Sequence, residues 1–124
     1  MRKTMLIVTA VAAAAHFLGG CSERNVSYRS DVQPIMAANC DGCHAPGKPG
    51  LEASGFNTTS HEGLLRGGKF GALIKPGDAF TSAFNMVVEG RVHSSIHMPH
   101  GREKLPDRDV ETLKIWVKQG AKNN

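Results

Sequence analysis

Cysteine is scarce in this chain, and its scarcity excludes a good deal. There are 3 cysteines in 124 residues, and only one Cys-X-X-Cys, formed by Cys40 and Cys43. A four-ligand zinc site is usually built from two such pairs, and the second is missing. Aromatics are also few: 5 Phe, 1 Trp and 1 Tyr, against 14 Gly. A chain so rich in turns has a small apolar core, which something large and apolar in its middle would stabilise. Basic residues form no stripe interleaved with aromatics, so the signature of a nucleic-acid binder is absent. There is no internal repeat and no low-complexity tract, and the length is that of one domain.

The one long apolar run lies at the start. "MRKTMLIVTAVAAAAHFLGGC" opens on Arg2 and Lys3 and is apolar and small from Met5 to Leu18. It is short and Ala-rich for a membrane-spanning helix. A basic start, an apolar middle and small residues before a break read as an export signal over residues 1–20. "LGGC" at 18–21 resembles the lipobox of bacterial lipoproteins, which implies that Cys21 becomes the first residue and carries lipid. Cleavage by ordinary signal peptidase nearby is the competing reading. Acylation would account for the odd cysteine, leaving Cys40 and Cys43 as a pair. It also changes the charge: 15 basic and 11 acidic residues become 13 and 11 once Arg2 and Lys3 are removed. The pI near 9.2 therefore overstates the basicity of the exported form.

Residues 21–27 are polar and read as a short tether, and 28–124 as the domain. In "YRSDVQPIMAANC", Val32, Ile35, Met36 and Cys40 approximate one helical face, with Pro34 tolerable in a first turn. "APGKPGLEASG" reads as a loop from its Gly and Pro. "TSHEGLLRGG" reads as a short helix capped by Thr59 or Ser60 and stopped by Gly67–Gly68, and "TSAFNMVVEG" as another that starts near Thr81 or Ser82 and is stopped by Gly90. "FGALIKPGD" reads as a short extended piece closing in a turn, and "VHSSIHMPHGREK" as irregular. The clearest helix is "PDRDVETLKIWVKQGA". Val110, Leu113, Trp116 and Val117 share a face, Asp107 and Asp109 suit its positive end, and Gly120 stops it.

"CDGCH" at 40–44 carries the chemistry, and three readings compete for it. Zinc would have to recruit histidines in place of a second cysteine pair. A thiol redox pair expects a preceding strand in a βαβ setting, whereas the preceding segment reads as helix. Covalent haem c needs two thiols on one side of a helical turn, each adding across a haem vinyl group to give a thioether. Cys40 and Cys43 stand at i and i+3, and His44 at i+4 projects from the same face toward the iron. Its Nδ1–H is expected to donate to a backbone carbonyl, here from the "APGKPG" loop. Met98 in "IHMPHG" leads for the second axial ligand, with His93, His97 and His100 as rivals. Met36 and Met86 read as core residues on apolar helical faces.

Taken together, "YRSDVQPIMAANCDGCH", "LLRGGKFGALIKPGD", "MPHG" and "LPDRDVETLKIWVKQGA" resemble a class I c-type cytochrome, closest to the planctomycete-type cytochrome c domain family. The resemblance covers about residues 28–121. It implies an all-α, small cytochrome c-like fold of short helices and Gly-rich loops around one covalent haem. It also implies that the first and last helices cross, bringing Tyr28 or Val32 near Leu113 or Trp116, with His44 and Met98 as axial ligands. "MPH" departs from the usual pattern after the methionine and crowds Met98 with histidines. The function expected is single-electron carriage on the periplasmic side of a bacterial membrane, the outer one in preference. The partners would be redox donor and acceptor proteins met through a transient interface, and the membrane through the lipid. The alternatives are a haem-based gas sensor or peroxidase-like enzyme with a labile Met98, or a haem relay subunit of a larger oxidoreductase.

Overall fold

The computed structural model describes residues 22–124; the export signal and the acylation expected at Cys21 lie outside them. The described chain is helical, with no strand. Its helices are α1 (Gln33–Asn39), α2 (Asp41–His44), α3 (Pro49–Ser54), α4 (His61–Arg66), α5 (Ala83–Glu89) and α6 (Asp107–Lys118). A π-helical turn, Tyr28–Val32, leads into α1, and a 3₁₀ turn, Ser94–Ile96, precedes the loop of Met98. No helix among the described residues is long and apolar enough to cross a membrane.

Pro34 sits in the first turn of α1, but that turn continues the π turn before it. Proline has no N–H and its ring presses on the carbonyl four residues back. The wider π register, in which the Gln33 N–H reaches the Tyr28 carbonyl, meets that demand without ending the helix. At α4 the Ser60 hydroxyl accepts from the Gly63 N–H, and α5 follows Ser82 and stops at Gly90 in the left-handed conformation.

Two segments depart from the sequence reading. "APGKPGLEASG" contains α3: Pro49 occupies the first turn, where its missing N–H is not needed, and Gly55 closes the helix at φ 73°. "FGALIKPGD" forms no strand; its Gly71 makes an isolated bridge back to Gly68, and Lys75–Asp78 form a turn. A side chain on Gly67 would meet the Gly71 carbonyl oxygen, so this tight turn requires glycine.

The core forms where the first helical segment meets α6. Val32, Met36, Leu64, Leu113, Trp116 and Val117 are fully buried. Tyr28 lies 5.9 Å from Trp116, ring to ring, and His61 packs edge-on against both. The Trp116 indole N–H donates to the Lys122 carbonyl, and His61 Nε2 donates to the Ala121 carbonyl, 2.7 Å away. These bonds hold the C-terminal residues back over the helix crossing.

Residues 23–27 do not hang free as a tether. Val26 is 2% exposed, its N–H donates to the Gln119 side chain, and the Gln119 amide donates to the Arg24 carbonyl. Lys118 pairs with Glu23, and Arg24 with Asp31 and Thr112. Asn124 accepts from the Arg29 and Tyr28 N–H groups and from the Ser27 hydroxyl. Apart from Arg24 and Asp31, the partners lie some ninety residues apart in the chain, which is why the local polar composition does not reveal the docking. The Ser27 N–H, aided by Arg24, holds the Asp31 carboxyl below the usual carboxylate range against a smaller opposing effect of burial.

Two outcomes follow. Leu113→Ala, which leaves a hole at the helix crossing, should cost about 2–5 kcal/mol in thermal or denaturant unfolding. The docking of residues 23–27 should hold above the ordinary Asp pKa near 3.8 and weaken as pH falls through the lower native value, because only the ionised Asp31 is favoured by those partners. A lower protection factor at the Ser27 amide in acid, measured against its intrinsic exchange rate and absent as a pH effect in Asp31→Asn, would register it.

Candidate functional site

The turn Asp41–His44 follows α1 directly, so Cys40 is both the end of one helix and the cap of the next. The Cys43 and His44 N–H groups both donate to the Cys40 carbonyl, which closes the turn and sets the three side chains. Cys40 and Cys43 are not joined to each other; Cys43 is exposed and Cys40 half-buried. Burial first, then the neighbouring Asp41, pushes the Cys40 thiol up to about 12. Thiol redox pairs work through a lowered pKa at the attacking sulfur, so Cys40 is set in the opposite sense.

His44 Nδ1 lies 3.0 Å from the Phe56 carbonyl oxygen. A carbonyl only accepts, so Nδ1 carries a proton, and in the neutral ring Nε2 is then the nitrogen with the lone pair. The carbonyl therefore comes from just beyond α3, and not from the "APGKPG" loop. Ser54 frames it: its hydroxyl donates to the Gly50 carbonyl and accepts from the Phe56 N–H. On the other side the Thr58 hydroxyl donates to Asp41 at 2.6 Å, and the Thr58 N–H donates to the His44 carbonyl. Gly50 packs directly on the turn, where an added Cβ would stand 2.7 Å from the Cys43 carbonyl oxygen.

This turn forms one wall of a cavity of about 510 Å³, within the roughly 300–1,000 Å³ usual for small-molecule and cofactor sites. Cys40, Cys43, His44 and Met98 all line it. The opposite wall is apolar: Leu73, Phe84, Val87 and Val88, with Phe56 beside His44. Phe84, Val87 and Val88 stand at i, i+3 and i+4 on α5, a spacing that could have marked this face in the sequence. Cys43, Pro49, Ala53, Ile96, His100 and Arg102 are its exposed lining residues. Met36 is core, 1% exposed, and Met86 does not line the cavity.

The three histidines near Met98 part ways. His97 gives its Nε2 to the Val92 carbonyl at 2.8 Å and does not line the cavity. His93 is exposed and bonded to Ser95. His100 does line it, as Met98 does. The Met98 N–H donates to the Val87 carbonyl at 3.1 Å, which ties its loop to the α5 wall.

The residues fit a haem c on the chemistry of the donor set. Two thiols and an imidazole with a free Nε2 stand on one turn, a thioether lines the same cavity, and the rest of the lining is largely hydrocarbon. No group of three or more His, Cys, Asp or Glu that could hold a metal ion converges among the described residues.

Gly50→Ala should force the α3 backbone away from Cys43 and disturb the turn that carries all three chemical groups. A loss of about 1–3 kcal/mol is expected from overpacking of this kind, read as a lower melting temperature with a lower yield of chromophore-bearing protein. Gly42→Ala, at a position with open space around it, is the control that should leave both nearly unchanged.

No protein-family model matches the chain, and no curated protein or solved structure matches it either. Its functional reading rests on its own residues and their geometry.

Proposed function

We propose that the protein is a monohaem c-type cytochrome, exported and lipid-anchored through Cys21, that carries single electrons at the periplasmic face of a bacterial membrane. The observation that supports this most is the gathering of Cys40, Cys43, His44 and Met98, up to 58 residues apart in the sequence, around one apolar cavity. Cys40 and Cys43 would hold haem c as thioethers, and His44 and Met98 would bind its iron. When bound, the haem supplies an iron that takes up and gives up one electron, at a potential raised by methionine relative to two nitrogen ligands. The Phe56 carbonyl keeps the His44 ring in the tautomer and orientation that presents Nε2. The Val87 carbonyl steadies the chain at Met98. Leu73, Phe84, Val87 and Val88 exclude water, so a change of charge inside the cavity meets little solvent to reorganise.

A His and Met pair leaves no coordination position for a substrate, which suits a carrier, or a relay subunit of a larger oxidoreductase, better than an enzyme. One observation favours a second reading. His100 lines the cavity with Met98, so a labile methionine would expose a ligand-binding site with an imidazole beside it, as in a gas sensor or peroxidase-like enzyme.

Purified protein should keep its haem colour on a denaturing gel and in acid acetone. Cys40→Ala or Cys43→Ala should weaken that attachment, and His44→Ala should lower the yield. The oxidised protein should show the far-red sulfur-to-iron charge-transfer band and lose it in Met98→Ala, which should then take up CO. Colour extracted from the wild-type chain by acid acetone would refute the cytochrome reading. CO binding by the wild type would favour the sensor or peroxidase reading.

Folding should depend on the haem, because the apolar side chains that line the cavity, among them Leu73, Phe84, Val87 and Val88, would pack against it only in the native state. The haem-free polypeptide is expected to show weaker helical circular dichroism and faster proteolysis, with early cuts between residues 45 and 102.

A further inference from the structure

The docking of residues 23–27 fixes how the domain can stand on a membrane. The first residue held through its backbone is Arg24, whose carbonyl accepts from Gln119, so Ser22 and Glu23 alone separate it from Cys21. Three peptide steps span at most about 11 Å, about the width of a helix. A lipid on Cys21 therefore emerges against the surface formed by Glu23, Arg24, Lys118 and the C-terminal residues that bond to Val26, Ser27 and Tyr28.

The cavity lies at the other end of the first helical segment. The twelve residues from Tyr28 to Asn39 span about 18 Å at helical rise. The Tyr28 end is bonded to Asn124, while Cys40 follows the opposite end. Every residue lining the cavity falls between Asn39 and Arg102; neither the docked segment nor α6 contributes one.

We propose that the protein sits directly on the lipid headgroups on a two-residue leash, with the surface around Glu23, Lys118 and Lys122 against the bilayer and the cavity turned away from it. This rests on the reading of Cys21 as lipid-bearing. The orientation comes from the leash and not from charge, because the near surface carries both signs, with Glu23 paired to Lys118 and Arg24 to Asp31. The redox partner it fits is one whose own centre is presented well above the bilayer surface.

The test is lysine footprinting with a water-soluble acylating reagent on the full, lipidated holoprotein. It compares protein in vesicles of phosphatidylethanolamine and phosphatidylglycerol with protein in detergent at matched temperature. Labelling of Lys118 and Lys122 should fall on the vesicles, and labelling of Lys48 and Lys104 should not, at low and high salt alike. A flexible Gly-Ser insert of about ten residues between Ser22 and Glu23, adding roughly 17 Å of reach, should restore labelling of Lys118 and Lys122 while the protein still floats with the vesicles. Protection of Lys48 or Lys104, no protection of Lys122, loss of protection in salt, or protection that survives the insert would each overturn the proposal while leaving the anchor intact. Wild-type protein that fails to float with vesicles would overturn the anchor reading, and the orientation with it.

Discussion

The immobility of the short turn Asp41–His44 is the constraint on which the site depends. Five residues place two sulfurs and an imidazole on one side of the backbone, but a four-residue helix does not hold itself. It is held by what packs on it. Gly50 comes close enough to the Cys43 backbone that no side chain fits between them. Phe56 fixes the imidazole through a carbonyl, and Thr58 ties down Asp41. All three lie within the segment that runs from α3 to the start of α4. That segment thus acts as a clamp: α3 approaches the turn from one side and the residues after Gly55 return along the other.

The clamp divides the molecule unequally. On one side, the π turn, α1, α6 and the C-terminal residues bury Trp116, Leu113, Val117, Val32 and Met36 and satisfy one another's polar groups. On the other, α2, α3, α5 and the loop of Met98 line the cavity, largely with apolar side chains. α5 bridges the two. It packs on α6 through one face and lines the cavity through Phe84, Val87 and Val88, so filling the cavity would stiffen the element that joins the halves.

How much of this was legible in the sequence depended on whether the cause was local. The ends of α4, α5 and α6 were legible because a capping hydroxyl or a stopping glycine sits within a residue or two of the boundary. The pairing of Tyr28 with Trp116 was legible through the family resemblance. α3 was hidden because Pro and Gly read as breakers unless their position within the turn is known; Pro49 begins the helix and Gly55 ends it. The Phe56 carbonyl was hidden for a different reason: any residue has a carbonyl, so composition says nothing about which one reaches His44. The docking of Val26 on Gln119 was hidden because the residues that make it stand 93 apart.

The crowd of histidines around Met98 shows how a backbone can separate side chains that composition leaves equivalent. His93, His97 and His100 are neighbours in sequence and alike in chemistry, and each could ligate iron near neutral pH. The 3₁₀ turn Ser94–Ile96 changes that. It carries the chain back so that His97 meets the Val92 carbonyl, and it leaves His93 outside with Ser95. Two candidates then line the cavity, Met98 and His100, and their footing differs. Met98 hangs from a backbone bond to α5, the wall it faces, whereas His100 stands exposed beside Gly101 in a left-handed turn. A ligand pre-positioned by its backbone surrenders less freedom on binding than one drawn from a solvated loop. A neutral thioether also has no proton to lose. Both effects favour the sulfur, and both act through the chain around Met98 rather than through the cavity itself.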